Sequence, residues 1–262
     1  MNVLAALADE AIYTSIGVAF WLASRLLPMR HAQPAGERWW NLAGFVAAMA
    51  LVYVVTLPLD YFFDAVVESS AVQWWHEQLR GLHWAPMILL YLLLLDLGSY
   101  LSHRLLHSRW LWAQHAWHHS PTSLNWMSGA RGSPLHLLLL YLPAYVVAVF
   151  FPFSAPALVA IAVSLFADSI NQHLIHTNLR LPWERQLERL FVTPRFHFIH
   201  HSADPRFGNS NYGFIFSFWD RLFGTYTLPE SVSANEPLGL GYEASHWRLM
   251  WGLPARRRAR PA

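Results

Sequence analysis

Long apolar runs alternate with short polar segments along this chain. Ala11–Leu27, Leu42–Leu59, Pro86–Leu101, Leu135–Phe153 and Pro156–Asn171 are almost free of charge. A helix that crosses a bilayer needs about 20 mostly apolar residues, so the pattern predicts five membrane spans. The first run lacks the basic start and small-residue cleavage site of a signal peptide and reads as a retained span. "FPFSAP" at Phe151–Pro156 reads as a tight hairpin between the last two spans, because proline breaks helices. "AVQWWHEQL" at Ala71–Leu79 predicts a helix lying at the membrane surface, its paired Trp at headgroup level. After Ser202 the apolar pattern weakens, and "ADPRFGNSNYG" has the Gly, Asn and Pro of a loop.

Composition sharpens this picture. Of the 262 residues, 55% are hydrophobic and 13% charged, against about 25% charged in an average soluble domain. The expected fold class is therefore all-α: a polytopic membrane helix bundle with a cytoplasmic helical cap. Residues 1–85 are expected to hold N-terminal membrane helices and an outer loop, 86–228 the central functional region, and 229–262 a C-terminal cytoplasmic tail ending in "ARRRARPA". Net charge is only +2 and gives no reason to expect a nucleic-acid partner. The basic side chains are all Arg, as a GC-rich bacterial genome would give. Arg25 at the end of the first run counts with Arg30 and Arg38 toward the first loop; Arg180, Arg185, Arg189 and Arg195 follow the fifth run; the second loop is acidic. The positive-inside tendency then places the N-terminus outside and the C-terminus in the cytoplasm, most simply at a bacterial inner membrane.

The chain has 15 His and no Cys. Disulfides, thiolate ligands, iron–sulfur clusters and Cys nucleophiles are excluded. Ten of the histidines fall in four segments: "HRLLH" (His103, His107), "HAWHH" (His115, His118, His119), "HLIH" (His173, His176) and "HFIHH" (His197, His200, His201). Residues three and four apart share one helix face, so each segment presents its imidazoles in one direction. One helix cannot surround an ion, but several converging helices can. Ten imidazoles give two metals about five nitrogens each, more than the four of a structural zinc site. The first and third segments end membrane runs, so the site is expected at the cytoplasmic edge under a cap carrying the two trios. His31, His76, His83, His136 and His246 lack this spacing and receive no metal role.

Asp96 lies inside the third span, where an ionisable residue is functional by default, as a ligand or as a partner that orients one. Asp168 and Asn171 hold a comparable place before His173. Ser123–Pro134 is expected to shape an entrance, Phe214–Trp219 to pack or to line a chamber, and Asp220 and Arg221 to serve structure. A zinc-dependent membrane hydrolase is the alternative function. It is disfavoured because no HExxH occurs and no carboxylate stands between the ligands as a general base. A transporter is disfavoured because the histidines sit at one edge of the apolar runs rather than at mid-depth.

Taken with "TPRFHFIHHS" and "NYGFIFSFWDRLFGTY", these histidine segments resemble the fatty acid hydroxylase/sterol desaturase superfamily of membrane enzymes over roughly Pro86–Leu228. The resemblance implies a di-iron centre of two iron ions held by histidine boxes, here His103 and His107, then His115, His118 and His119, then His197, His200 and His201. "HTN" matches the further histidine of the family at His176; His173 is a weaker match. It also implies a lipid substrate, O2, and hydroxylation or desaturation. The chain has no GxGxxG fingerprint, haem extension or Cys, so electrons are expected from a separate donor such as a ferredoxin, cytochrome or reductase.

Overall fold

The computed structural model describes residues 3–30, 37–152 and 156–255. They form helices α1 (Val3–Leu26), α2 (Arg38–Val67), α3 (Ser70–Leu79), α4 (Trp84–Leu106), α5 (Trp112–His115), α6 (Pro134–Ala148), α7 (Ala157–Ser164) and α8 (Asn171–Ile175). Five short ones follow: α9 (Glu184–Leu187), α10 (Pro194–His200), α11 (Pro205–Gly208), α12 (Phe218–Leu222) and α13 (His246–Met250). No β-strand forms among the described residues, only isolated bridges. The architecture is all-helical, as the apolar runs predict.

The span count differs from expectation. Among the described residues, two helices are long and apolar enough to cross a membrane, α2 and α4, with mean hydropathies of 2.2 and 1.6. The fourth run becomes α6, only 15 residues long. The fifth is divided: α7 passes into a π-helical stretch, Leu165–Ile170, before α8. The wider turn of a π segment re-aims the helix that follows, and such segments cluster at functional sites. The hairpin at Phe151–Pro156 lies partly outside the described residues, as do His31 and most of the Arg-rich C-terminal tail. "AVQWWHEQL" does form a helix, α3, with Trp74 and Trp75 exposed. Its His76 Nε2 and Trp75 Nε1 meet the carbonyls of Val149 and Phe150 and so cap the end of α6.

The two long helices are apolar outward. Val46, Val54 and Leu57 on α2 and Leu89, Leu90 and Leu94 on α4 are exposed. A surface of this kind needs an apolar environment. The buried core lies instead around the short helices. Trp117 packs with Leu249 and Met250, Leu124 with Phe198 and Leu238, and Ile175 with Val192 and Phe196. The segment beyond residue 228 therefore closes the core rather than trailing from it: Glu236 accepts from Ser202 Oγ at 2.7 Å, and its carbonyl accepts from Arg30.

Two buried charged residues fix the framework. Arg131 is fully buried and joins α2 to the segment before α6, donating to Glu37 Oε2 at 2.9 Å, Asn41 Oδ1 at 2.6 Å and Ser120 Oγ at 2.8 Å. Gly44 makes room for it, since a Cβ there would lie 2.8 Å from Arg131 Cγ. Asp96, on α4 and also fully buried, accepts from the backbone N–H of Ile215 at 2.7 Å and Phe216 at 2.8 Å, and from Trp219 Nε1 at 3.0 Å.

Candidate metal centre

Local sequence sets the histidine positions. His103 lies in the last turn of α4 and His107 is its C-cap. α5 is short and ends at His115; His118 and His119 follow in a tight turn in which His119 N–H reaches the His115 carbonyl. Thr193 caps α10 through a 3.2 Å bond from Phe196 N–H, Pro194 opens the helix, and His197, His200 and His201 follow from its inner face to its C-cap. His176 is the C-cap of α8.

Nine of the ten histidines come together, in two groups. His103, His107, His115, His119 and His200 form one; His118, His176, His197 and His201 form the other. Within each group one ring nitrogen from every histidine lies within 4.8 Å of those of the others. The tenth, His173, does not join. Its Nε2 lies 3.0 Å from the Tyr13 carbonyl, and its ring sits against Tyr13 and Trp126.

Hydrogen bonds to backbone carbonyls fix which nitrogen faces inward in four of the rings. Nδ1 of His103 donates to the Tyr212 carbonyl at 2.9 Å, that of His200 to Ser210 at 2.8 Å, that of His176 to Gln172 at 2.9 Å and that of His118 to Arg131 at 3.3 Å. A carbonyl only accepts, so each Nδ1 carries the proton and, in a neutral ring, each Nε2 is a bare lone pair. Yet His176 Nε2 lies 3.2 Å from His118 Nε2. Two lone pairs facing at that distance repel unless a cation lies between them. Two nitrogens each about 2.1 Å from one ion, at right angles, lie about 3 Å apart. Similar spacings separate His197 Nε2 from His176 Nε2 (3.0 Å) and from His201 Nε2 (3.1 Å), and His107 Nε2 from His119 Nε2 (3.0 Å). Nε2 of His200 is buried and has no hydrogen-bond partner. The donor set fits a pair of metal ions bound by imidazole alone.

Burial, reinforced by neighbouring rings, holds His107, His115, His118, His119, His197, His200 and His201 well below the usual histidine range. The rings are therefore neutral and ligand-ready at pH 7. The unfolded chain protonates near pH 6.5 and so binds more protons than the fold below that value. Stability of the metal-free protein is expected to be level above about pH 6.5 and to fall steadily as the pH drops below it. Urea midpoints in detergent across pH 5–8 check this; a level profile through pH 5 would contradict the buried-neutral assignment.

Several contributing residues carry no metal spacing. Arg131 orients His118 through its carbonyl, and Asn209 Oδ1 lies 3.3 Å from His107 Nδ1. "NSNYG", legible only as a loop, supplies the carbonyls of Ser210 and Tyr212. Asp96 is neither a ligand nor a partner of one: its carboxylate is taken up by the Ile215–Trp219 segment. Asn171 donates to the Phe214 carbonyl at 2.7 Å, and the side chain of Asp168 lies outside the described residues. Asp220 receives the N–H groups of Tyr212 and Gly213, and Arg221 donates to the Glu188 carbonyl, so both serve structure. His83 caps α4 and His246 stacks on Trp40.

A cavity of about 380 Å³ lies between α1, α2, α4 and α6, within the range of small-molecule sites. Leu95, Leu137, Leu140, Met49 and Val52 make its wall apolar, with Ser99 and Gln172 among its polar groups. Gly129 also lines it, with no room for a Cβ, which would lie 2.6 Å from the His176 ring. Gln172 borders the cavity while its carbonyl holds His176.

The fatty acid hydroxylase family model matches residues 88–225. Human alkylglycerol monooxygenase is 28% identical over 76% of this chain and 46% of its own length. The Xenopus tropicalis alkylglycerol monooxygenase is 28% identical over 74% of this chain and 46% of its own. Ornithine lipid hydroxylase OlsE of Rhizobium tropici is 31% identical over 58% of this chain and 45% of its own. The chain thus spans less than half the length of these relatives. No solved structure matches it. With its histidine groups inside the matched region, the chain belongs to the fatty acid hydroxylase family.

Proposed function

We propose that this protein is a membrane-bound di-iron oxygenase that hydroxylates a lipid with O2 and electrons from a separate protein. The observation that carries the reading is the facing of His118 Nε2 and His176 Nε2, each left bare by its ring's Nδ1–carbonyl bond, within two groups of buried imidazoles. The names of the relatives, a monooxygenase and a hydroxylase of lipids, favour oxygen insertion over desaturation. Iron bound by the nine histidines would supply dioxygen reduction and oxidation of an unactivated C–H bond, chemistry no side chain provides alone. His103, His107, His115, His119 and His200 would hold one ion; His118, His176, His197 and His201 the other.

The protein's own share is placement and exclusion of water. The apolar wall of the cavity binds a hydrocarbon chain, and its border at Gly129 and Gln172 brings that chain alongside the His176 ring. The short helices bury the ring nitrogens from solvent, which protects reactive steps from water. Orientation with the centre at the cytoplasmic face of the inner membrane follows from the Arg distribution.

The zinc hydrolase reading loses ground, because neither group contains a carboxylate to act as general base. The two readings part on the source of oxygen. Cells expressing the protein under 18O2 are expected to accumulate a lipid one 18O heavier, absent with His118→Ala. Product oxygen drawn from water, formed equally without O2, would overturn the oxygenase assignment.

A further inference from the structure

We infer that His136, a histidine outside every box, is the positioning residue of the five-histidine group. The inference rests on reading that group as a metal site. His136 lies in the first turn of α6 and is 2% exposed. Its Nδ1 lies 2.7 Å from Nδ1 of His115, and the two rings meet edge to edge, centroids 4.7 Å apart with 19° between their planes. His103 and His200 point their Nδ1 protons at backbone carbonyls and His107 at an Asn oxygen. His115 is held by another imidazole.

An imidazole pair sharing an Nδ1···Nδ1 contact has one proton between the two atoms. His115 turns Nε2 to the group, 3.1 Å from His103 Nε2. For that Nε2 to be bare, the shared proton sits on His115 Nδ1, and His136 Nδ1 accepts it. His136 is then fixed as the tautomer with hydrogen on Nε2. The same ring forms part of the cavity wall. It therefore links the substrate chamber to the five-histidine group as Gln172 links it to the other.

The surrounding backbone is built around this ring. A Cβ on Gly132 would lie 2.7 Å from His136 Cδ2. Ser133, fully buried, accepts His136 N–H through its Oγ at 3.2 Å and donates to Gln114 Oε1 at 2.9 Å. Gln114 precedes His115 on α5, so two adjacent bonds lock the start of α6 to the strand of rings it orients.

The test is Fe(II) and Co(II) titration of the metal-free full chain in detergent, following ions bound per chain and the Co(II) visible spectrum. The variants are His136→Phe, which keeps the ring shape without an acceptor, and His136→Gln, which restores one. The wild type is expected to bind two ions. In His136→Phe one ion should bind as before, at the four-histidine group, and the other about 10- to 100-fold more weakly with a changed Co(II) spectrum. His136→Gln should recover most of the loss. Two ions bound by His136→Phe with wild-type affinity would overturn the inference and leave the metal reading intact. So would an equal loss in both variants, because restoring an acceptor would then restore nothing. A wild type that binds neither ion would overturn the metal reading itself.

Discussion

Replacing His197 with alanine is expected to abolish lipid oxidation and to leave the protein able to hold only the ion of the five-histidine group. His197 Nε2 stands 3.0 Å from His176 Nε2 and 3.1 Å from His201 Nε2, at the centre of the four-histidine group. Without it that group keeps three imidazoles, His118, His176 and His201. Losing a direct ligand costs more than the roughly 10- to 100-fold typical of an outer partner. Oxidation that needs both ions should fall below detection, while the fold survives because the ring's Nδ1 makes no hydrogen bond that would be lost. Product formation by lipid mass spectrometry and metal content by elemental analysis check this together. Retained activity with one ion missing would show that the two groups do not act as a unit.

The second large effect lies at Asp96. Asp96→Ala strips the acceptor from two backbone N–H groups and one indole N–H, all buried against α4. Each stranded donor costs about 1–3 kcal/mol, so the expected loss for three is about 3–9 kcal/mol, or a fall of about 6 °C or more in Tm. The damage reaches the metal centre through the chain. Ile215 follows closely on Tyr212, whose carbonyl orients His103 and whose N–H is held by Asp220. Metal binding should weaken as well. Asp96→Asn keeps one acceptor oxygen and should fall between the two. Thermal unfolding in detergent checks this; an alanine variant within about 2 °C of wild type would contradict the clamp.

These residues also mark how far the sequence could be read. The boxes were legible because i, i+3 and i+4 spacing keeps imidazoles close together, although His118 and His119 lie in a turn beyond α5 and each trio divides between the two groups. Spacing says which residues share a face; it does not say which faces meet. His173 and His176 have good spacing, yet His173 turns to Tyr13 O while His176 enters the group, the re-aiming π segment lying just upstream. His136 had no spacing signal, because its partner is 21 residues away on another helix. Asp96 was legible as a functional carboxylate inside an apolar run, but its partners are backbone amides about 120 positions on. Backbone amides leave no mark in a sequence. The all-helical class followed from apolar length, whereas the number of spans did not, since a run's length does not reveal the break at Leu165–Ile170.

On the proposed function, imidazoles from four segments enclose two metal ions. Elemental analysis of active protein purified from iron-replete cells, with Mössbauer spectra of the same sample, tests it most directly. Two irons per chain are expected, all-nitrogen in their protein ligands. Fully active protein with less than one iron per chain would contradict it.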